Sequence, residues 1–446
     1  MDLRVTDGVT NVVLDGTAPV VGCIYFPDGP NPDAPGEPIS EAVEVSLSGT
    51  VATIRATLRS LNLLFLAAQE RAEQGVGPRI FVEYAPTAAD SLYRSEILRG
   101  GVEWSDNKAL RNLADAQAAT VVVVVTWVRA PFWESQLTQA TLTNGNGTNN
   151  ISGLTIRLHD DGTAGHDNYV EIDAAEVTGD LLAPAEIHLK NTFGAGVNYR
   201  NFYLANNWFD ATLAHVIEGE SRDAGYGSVG ASSAASNGQY AQFSVNGTLE
   251  VPWTLAATTL QKTRGRYLRV LAKFFFFDQF ANVYVTAKIK DAAGNITLAQ
   301  AEEEVRLQPG AGYLQNLGVL PFPPGGYSTA PSSHKLVLAI RTESLQTVSV
   351  DFMQLTPTFP PGGYREIKQL GNVVPNNEKF VDDGIEGISY VTVSGQQHFV
   401  SAPKTEPLLL WPGRTQRIYV LADGTDVTID HTMQVQVWFR ARRATI

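Results

Sequence analysis

The stretch that most constrains this chain is Val121–Glu134, VVVVVTWVRAPFWE. β-branched side chains on both faces leave a strand no solvent side, so the run predicts a fully buried strand. Arg129, Ala130 and Pro131 then stop the ladder, because proline has no N–H to donate. Everything before this point reads as one compact unit, which the valine strand closes. The residues after it turn rich in Asn, Gly and Thr, which makes the end of the strand the main seam of the chain.

Around that strand the composition favours a mainly β protein. Only 18% of the 446 residues are charged, and 39 Gly and 23 Pro imply many turns. The length suggests about three domains. A net charge of -13 argues against nucleic-acid binding and against a polybasic membrane footprint. Cys23 stands alone, so no internal disulfide can form, and its apolar setting VVGCIYF predicts a buried small hydrophobe. The start MDLRVTDG lacks a secretory pattern, and no apolar run suggests membrane insertion, so synthesis in a reducing cytoplasm is expected.

In chain order, residues 1–135 read as an α+β domain. Asp7-Gly8 and Asp15-Gly16 mark hairpin turns, and the proline-rich residues 27–38 form a loop. Residues 41–47 alternate as a half-buried strand. Ile54, Leu58, Leu61, Phe65 and Ala68 recur at helical period, with Arg55, Arg59, Glu70 and Arg71 off the stripe and Gly75 placed to end the helix. Residues 79–84 and 97–104 read as further strands. Residues 136–220 form a β-rich connecting region. Within residues 221–360, 221–239 read as a long exposed loop, and the short strands that follow predict a jelly-roll β-sandwich. The phenylalanines at 274–277 should straddle core and a binding face. Residues 361–446 form a C-terminal β unit, either separate or completing the first domain.

Chemistry is sparse. The loop HDDGTAGHDN offers Asp160, Asp161 and Asp167 as oxygen ligands for a metal such as Ca²⁺, yet it lacks EF-hand spacing and reads first as a solvated hairpin tip. No nucleophile elbow or phosphate-binding loop occurs, no cofactor is implied, and no catalytic residue stands out, so an enzyme is not expected. Trp208, Trp253, Tyr267 and Tyr284 could stack against sugar rings, although a sandwich core would also use them.

The first domain resembles the N-terminal half of distal tail proteins of tailed bacteriophages. The resemblance rests on the early hairpin, EAVEVSLSG, the helix at 52–74, PRIFVEYAP, ILRGGVEW, and the ending Phe132-Trp133-Glu134. EPLLLWPGRTQRIYVL and VQVWFRARR look like the end of phage tail proteins, and SVDFMQLTP is similar to the last strand of jelly-roll carbohydrate-binding modules. The family implies a structural virion protein: a homo-oligomeric ring, commonly a hexamer and alternatively a trimer. Such a ring joins the tail tube to baseplate and host-recognition parts, with an outward module that could meet a host cell-surface glycan. The competing expectations are a carbohydrate-binding adhesin and a polysaccharide-degrading enzyme.

Overall fold

The computed structural model describes the chain apart from residues 35, 88, 105–118, 150–151, 158–166, 195–197, 208–214, 233–234, 256–264, 266, 277–281, 308–313, 323–333, 358–363, 368–373, 401–406 and 425–431. The fold is mainly β, with one α-helix among the described residues. It divides into two compact units. Unit 1 holds Met1–Thr138, Thr178–Ala183 and Arg440–Ile446; unit 2 holds Gln139–Val177 and Pro184–Phe439.

Unit 1 is built from β1 (Asp2–Thr6), β2 (Asn11–Val13), β3 (Val20–Cys23), β4 (Ile39–Gly49), α1 (Val51–Gln74), β5 (Ile80–Ala85), β6 (Tyr93–Trp104), β7 (Ala119–Arg129) and β8 (Trp133–Glu134). The sheet runs β2-β1-β5-β6-β7-β4-β3, and β8 joins β6 to the late strand Arg442–Arg443. The valine run is β7, and it lies inside the sheet, paired with β4 from Ile39↔Arg129 to Gly49↔Ala119. It is not a closing wall. Val121, Val123, Val125 and Trp127 are buried, but Val122, Val124 and Val128 are only half-buried. Antiparallel pairing leaves one face less covered, so the expected double burial holds for one face alone.

α1 begins where the Thr50 hydroxyl accepts from the Thr53 N–H at 3.2 Å, and ends at Gly75 in the left-handed region, φ 71°. Ile54, Leu58, Leu61, Leu64, Phe65 and Ala68 face the core, matching the periodic stripe with Leu64 added. By length and composition alone this helix could span a bilayer, contrary to expectation, but its buried face packs into the unit 1 core. The helix meets the sheet at Gly100. A Cβ there would lie 2.5 Å from Phe65 Cδ1 and 2.8 Å from the Thr126 carbonyl oxygen. Gly100→Ala is therefore expected to cost about 1–3 kcal/mol, read as a lower urea midpoint, since backbone cannot yield as a flexible side chain would.

In unit 2 the stretches 136–220 and 361–446, expected as separate regions, pair with each other. One sheet orders Gly147–Asn149, Leu142–Asn144, Tyr169–Ile172, Gln416–Gly424, Tyr199–Asn207 and Tyr364–Ile367. The second orders Leu154–Arg157, Thr432–Phe439, Ala183–Asn191, Lys379–Asp383, Ile388–Val393 and Gln396–Phe399. Phe202 from the first stacks on Phe380 from the second at 4.7 Å, as in a sandwich core. Short strands separated by some 200 residues carry no sequence sign of their partnership, so this register was illegible.

The remainder of unit 2, from His215 to Pro357, is a further antiparallel assembly around one long strand, Lys335–Pro357. Its early half pairs with Val283–Lys290 and its later half with Tyr267–Phe276, while Gln239–Thr254 follows it along both. A register shift between Val245 and Gly247 lets the paired strands bend. Phe243, Trp253, Val285, Ile340 and Val350 are among the residues of the core so formed. Within the expected loop 221–239 lies a strand, Ser228–Ala231, pairing with Gln239–Thr254; its small side chains left no periodicity to read. Phe274 is fully buried, and Phe277 lies outside the described residues.

Candidate functional site

The residues with the clearest functional geometry lie where β3 leaves the sheet of unit 1. β4 places Glu41 inside, and β7 places Trp127 and Arg129 inside. Arg129 Nη2 donates to Glu41 Oε1 at 2.8 Å, and Trp127 Nε1 donates to Glu41 Oε2 at 2.7 Å. The Tyr25 hydroxyl donates to that same Oε2 at 2.6 Å. Burial, then the Glu41 carboxylate, push the Tyr25 phenol far above its ordinary range, so it stays a donor. The backbone of Asp28 joins at both ends. Its N–H donates to Glu41 Oε1 at 2.9 Å, and its carbonyl accepts from Arg129 Nη2 at 2.7 Å. Tyr25 also meets Tyr84 edge-on at 5.1 Å, and Arg129 lies 4.5 Å above the Trp133 ring.

This hub fixes which way the segment after β3 faces. Successive side chains of an extended chain point to opposite sides. With Tyr25 held inward, Ile24 and Phe26 must turn outward, and they are 78% and 81% exposed. Val21, on β3 itself, is 55% exposed. β3 ends the sheet path, so its outer edge has no neighbouring strand among the described residues. Leu63 and Leu66 are likewise exposed on the outer face of α1. The signal was present in VVGCIYF: a run apolar at every position puts half its side chains on the far side of a strand. Beside this rim Cys23 is half-buried, and burial, with Asp15 nearby, pushes its thiol up to about 11.

The sugar-stacking expectation fares unevenly. Trp253 is fully buried, its Nε1 donating to the Gly219 carbonyl at 3.0 Å, so it is a core residue and offers no ligand face. Tyr267 is 51% exposed. Tyr284 is half-buried, with the Arg341 guanidinium 4.2 Å above its ring. These two tyrosines sit on strands that do not pair with each other, and Trp208 lies outside the described residues. The structure does bring together another aromatic pair, missed in the sequence. Tyr390 and Phe399 are cross-strand partners with ring centroids 6.2 Å apart, and Phe399 is 64% exposed.

Of the candidate metal ligands, Asp160 and Asp161 lie outside the described residues. Asp167 accepts from the Gly145 N–H at 2.6 Å, an ordinary loop-bracing bond. Among the described residues no group of three His, Cys, Asp or Glu side chains is placed to hold a metal ion.

No protein-family model matches the chain, and no curated protein matches it. Among solved structures, it is similar to the family 11 carbohydrate-binding module of the cellulosomal cellulase Lic26A-Cel5E of Clostridium thermocellum. That alignment has 12% identity over 36% of this chain and 95% of the module, with a TM-score of 0.18. The dimeric latent PorU from Porphyromonas gingivalis aligns at 10% identity over 91% of this chain and 32% of PorU, with a TM-score of 0.12. Likenesses this slight carry no argument about what the chain does.

Proposed function

We propose that this chain is a structural subunit that self-assembles through unit 1, and that the assembly is a ring at the distal end of a phage tail. The observation that supports assembly is the set of exposed apolar side chains Val21, Ile24 and Phe26, of which Ile24 and Phe26 are held outward by the buried hub at Tyr25. An unpaired edge carrying large apolar side chains is a liability in a lone subunit and an asset in an interface. A ring needs one patch on each copy to meet a different patch on the next, and the exposed leucines of α1 offer such a second patch. The tail setting rests on the sequence resemblance. It gives the tail tube and baseplate proteins as partners, the virion as location, and the hexamer as the first expectation, with the trimer second.

Light scattering on the purified chain tests this. The expected result is a concentration-stable multiple of the 48.3 kDa subunit, with closed rings in negative-stain images. A single-subunit mass at every concentration overturns self-closure. A second reading, binding to a surface saccharide, draws on the pair of exposed Phe399 and half-buried Tyr390, whose rings could stack on a sugar. Glycan binding by a monomer that weakens on Phe399→Ala would favour that reading over assembly.

A further inference from the structure

A pocket in unit 1 has a charge that the acidic chain as a whole does not predict. Arg4, Glu83, Leu92, Arg94, Ser135, Gln136, Leu137 and Arg440 line a cavity of about 280 Å³. Three guanidiniums therefore face it against one carboxylate, in a chain of net charge -13. The one carboxylate is already engaged, for Glu83 Oε2 accepts from Arg4 Nε at 2.5 Å.

Arg94 is the under-satisfied member. Its guanidinium lies 3.9 Å over the Phe81 ring and forms an ion pair with Glu134, Nη2 to Oε2 at 3.6 Å, too long for a hydrogen bond. Glu134 spends its other oxygen on Arg442, at 2.8 Å. Arg94 Nε is buried and makes no hydrogen bond. Burial first, and then the neighbouring Arg440 charge, draw the Arg94 guanidinium down to about 10, so the site holds like charge at a cost. Arg440 reaches the same space, donating from Nη1 to the Ser135 carbonyl at 3.1 Å. Planar guanidinium forks that converge on a small polar cavity match the geometry of an oxyanion.

We propose that this pocket is an oxyanion site, holding a carboxylate or phosphate group between Arg94 and Arg440, with Arg4 at its edge. The occupant is a free small anion or an acidic side chain of a second copy of this chain; the chemistry of recognition is shared. With a free anion as occupant the inference stands apart from the assembly reading; with a neighbour's carboxylate it rests on that reading.

Citrate is the probe. Titrated into the full chain by calorimetry, it is expected to bind saturably, and to raise the thermal midpoint beyond what sodium chloride does at matched ionic strength. Arg440→Gln should weaken that binding about tenfold or more, as loss of a charged hydrogen bond does. Arg94→Gln should do the same, and Arg94→Lys should recover only part, since an ammonium lacks the fork. If Arg94→Gln does not fold, Arg440→Gln alone decides. A midpoint that follows ionic strength only, or citrate binding equal in the wild type and both Gln variants, overturns the proposal. Sedimentation with and without citrate separates the two sources. Dispersal of an assembled particle marks a neighbour's carboxylate as the occupant, and an unchanged particle that still binds citrate marks a free anion.

Discussion

Replacing Ile24 and Phe26 together with serine is expected to convert assembled particles into single 48.3 kDa subunits without weakening the subunit itself. Both side chains are exposed, and neither belongs to a buried core, so the folded chain loses almost no packing when they are removed. Surface exchanges of this kind usually stay within about 0.5 kcal/mol. The interface loses much more. Burying each side chain fully is worth about 1.5–3 kcal/mol, so two removed per contact weaken association on the order of a hundredfold or more. Light scattering reads the mass, and urea unfolding of the same sample reads the subunit. Particles of unchanged mass in the doubly substituted chain would exclude this rim as the contact.

Glu41→Ala is expected to destabilise unit 1 by about 3–5 kcal/mol, the cost of leaving a buried charge without its partner. Three donors lose their acceptor at once: the Arg129 guanidinium, the Trp127 indole and the Tyr25 hydroxyl. The Asp28 N–H loses its acceptor too. Glu41→Gln should cost less, because an amide oxygen still accepts. Glu44→Ala, three residues along the same strand and exposed, is the control and should be near neutral. Equal urea midpoints for Glu41→Ala and Glu44→Ala would show that the hub adds nothing. Assembly should fall with stability in Glu41→Ala, since Tyr25 would no longer hold Ile24 and Phe26 outward.

Much of unit 1 was legible because its signals are local. The α1 stripe, its Gly75 end and the alternation of β4 need only a few residues each to be read. The hub was not legible. Glu41 and Arg129 are 88 residues apart, and although alternation puts Glu41 on the face of Val43, Val45 and Leu47, nothing local names the partners that let a carboxylate stay there. Here it points inward, because it meets an arginine, a tryptophan and a tyrosine there. The Arg pocket was hidden for the same reason: Arg4, Arg94 and Arg440 come from three distant parts of a chain whose overall charge points the other way. Trp253 misled in the opposite direction. An aromatic beside a proline can face either side of a strand, and this one closes a core over the Gly219 carbonyl.

The neighbouring strands Tyr199–Asn207 and Tyr364–Ile367 pair directly, from Phe202↔Ile367 to Ala205↔Tyr364. The assembly around Lys335–Pro357 lies between them in the chain, so it is entered from the sandwich and left back to it at adjoining strands. A chain that departs and re-enters side by side can be cut there and closed by a hairpin-length link, with no strand lost from the host sheets. The main obstacle is a small apolar seam in which Tyr203 and Leu421 of the sandwich meet Leu271 and Phe352 of the inserted part. The site works as a socket. Evolution or an engineer could exchange one inserted assembly for another there while the host sheets keep their own register.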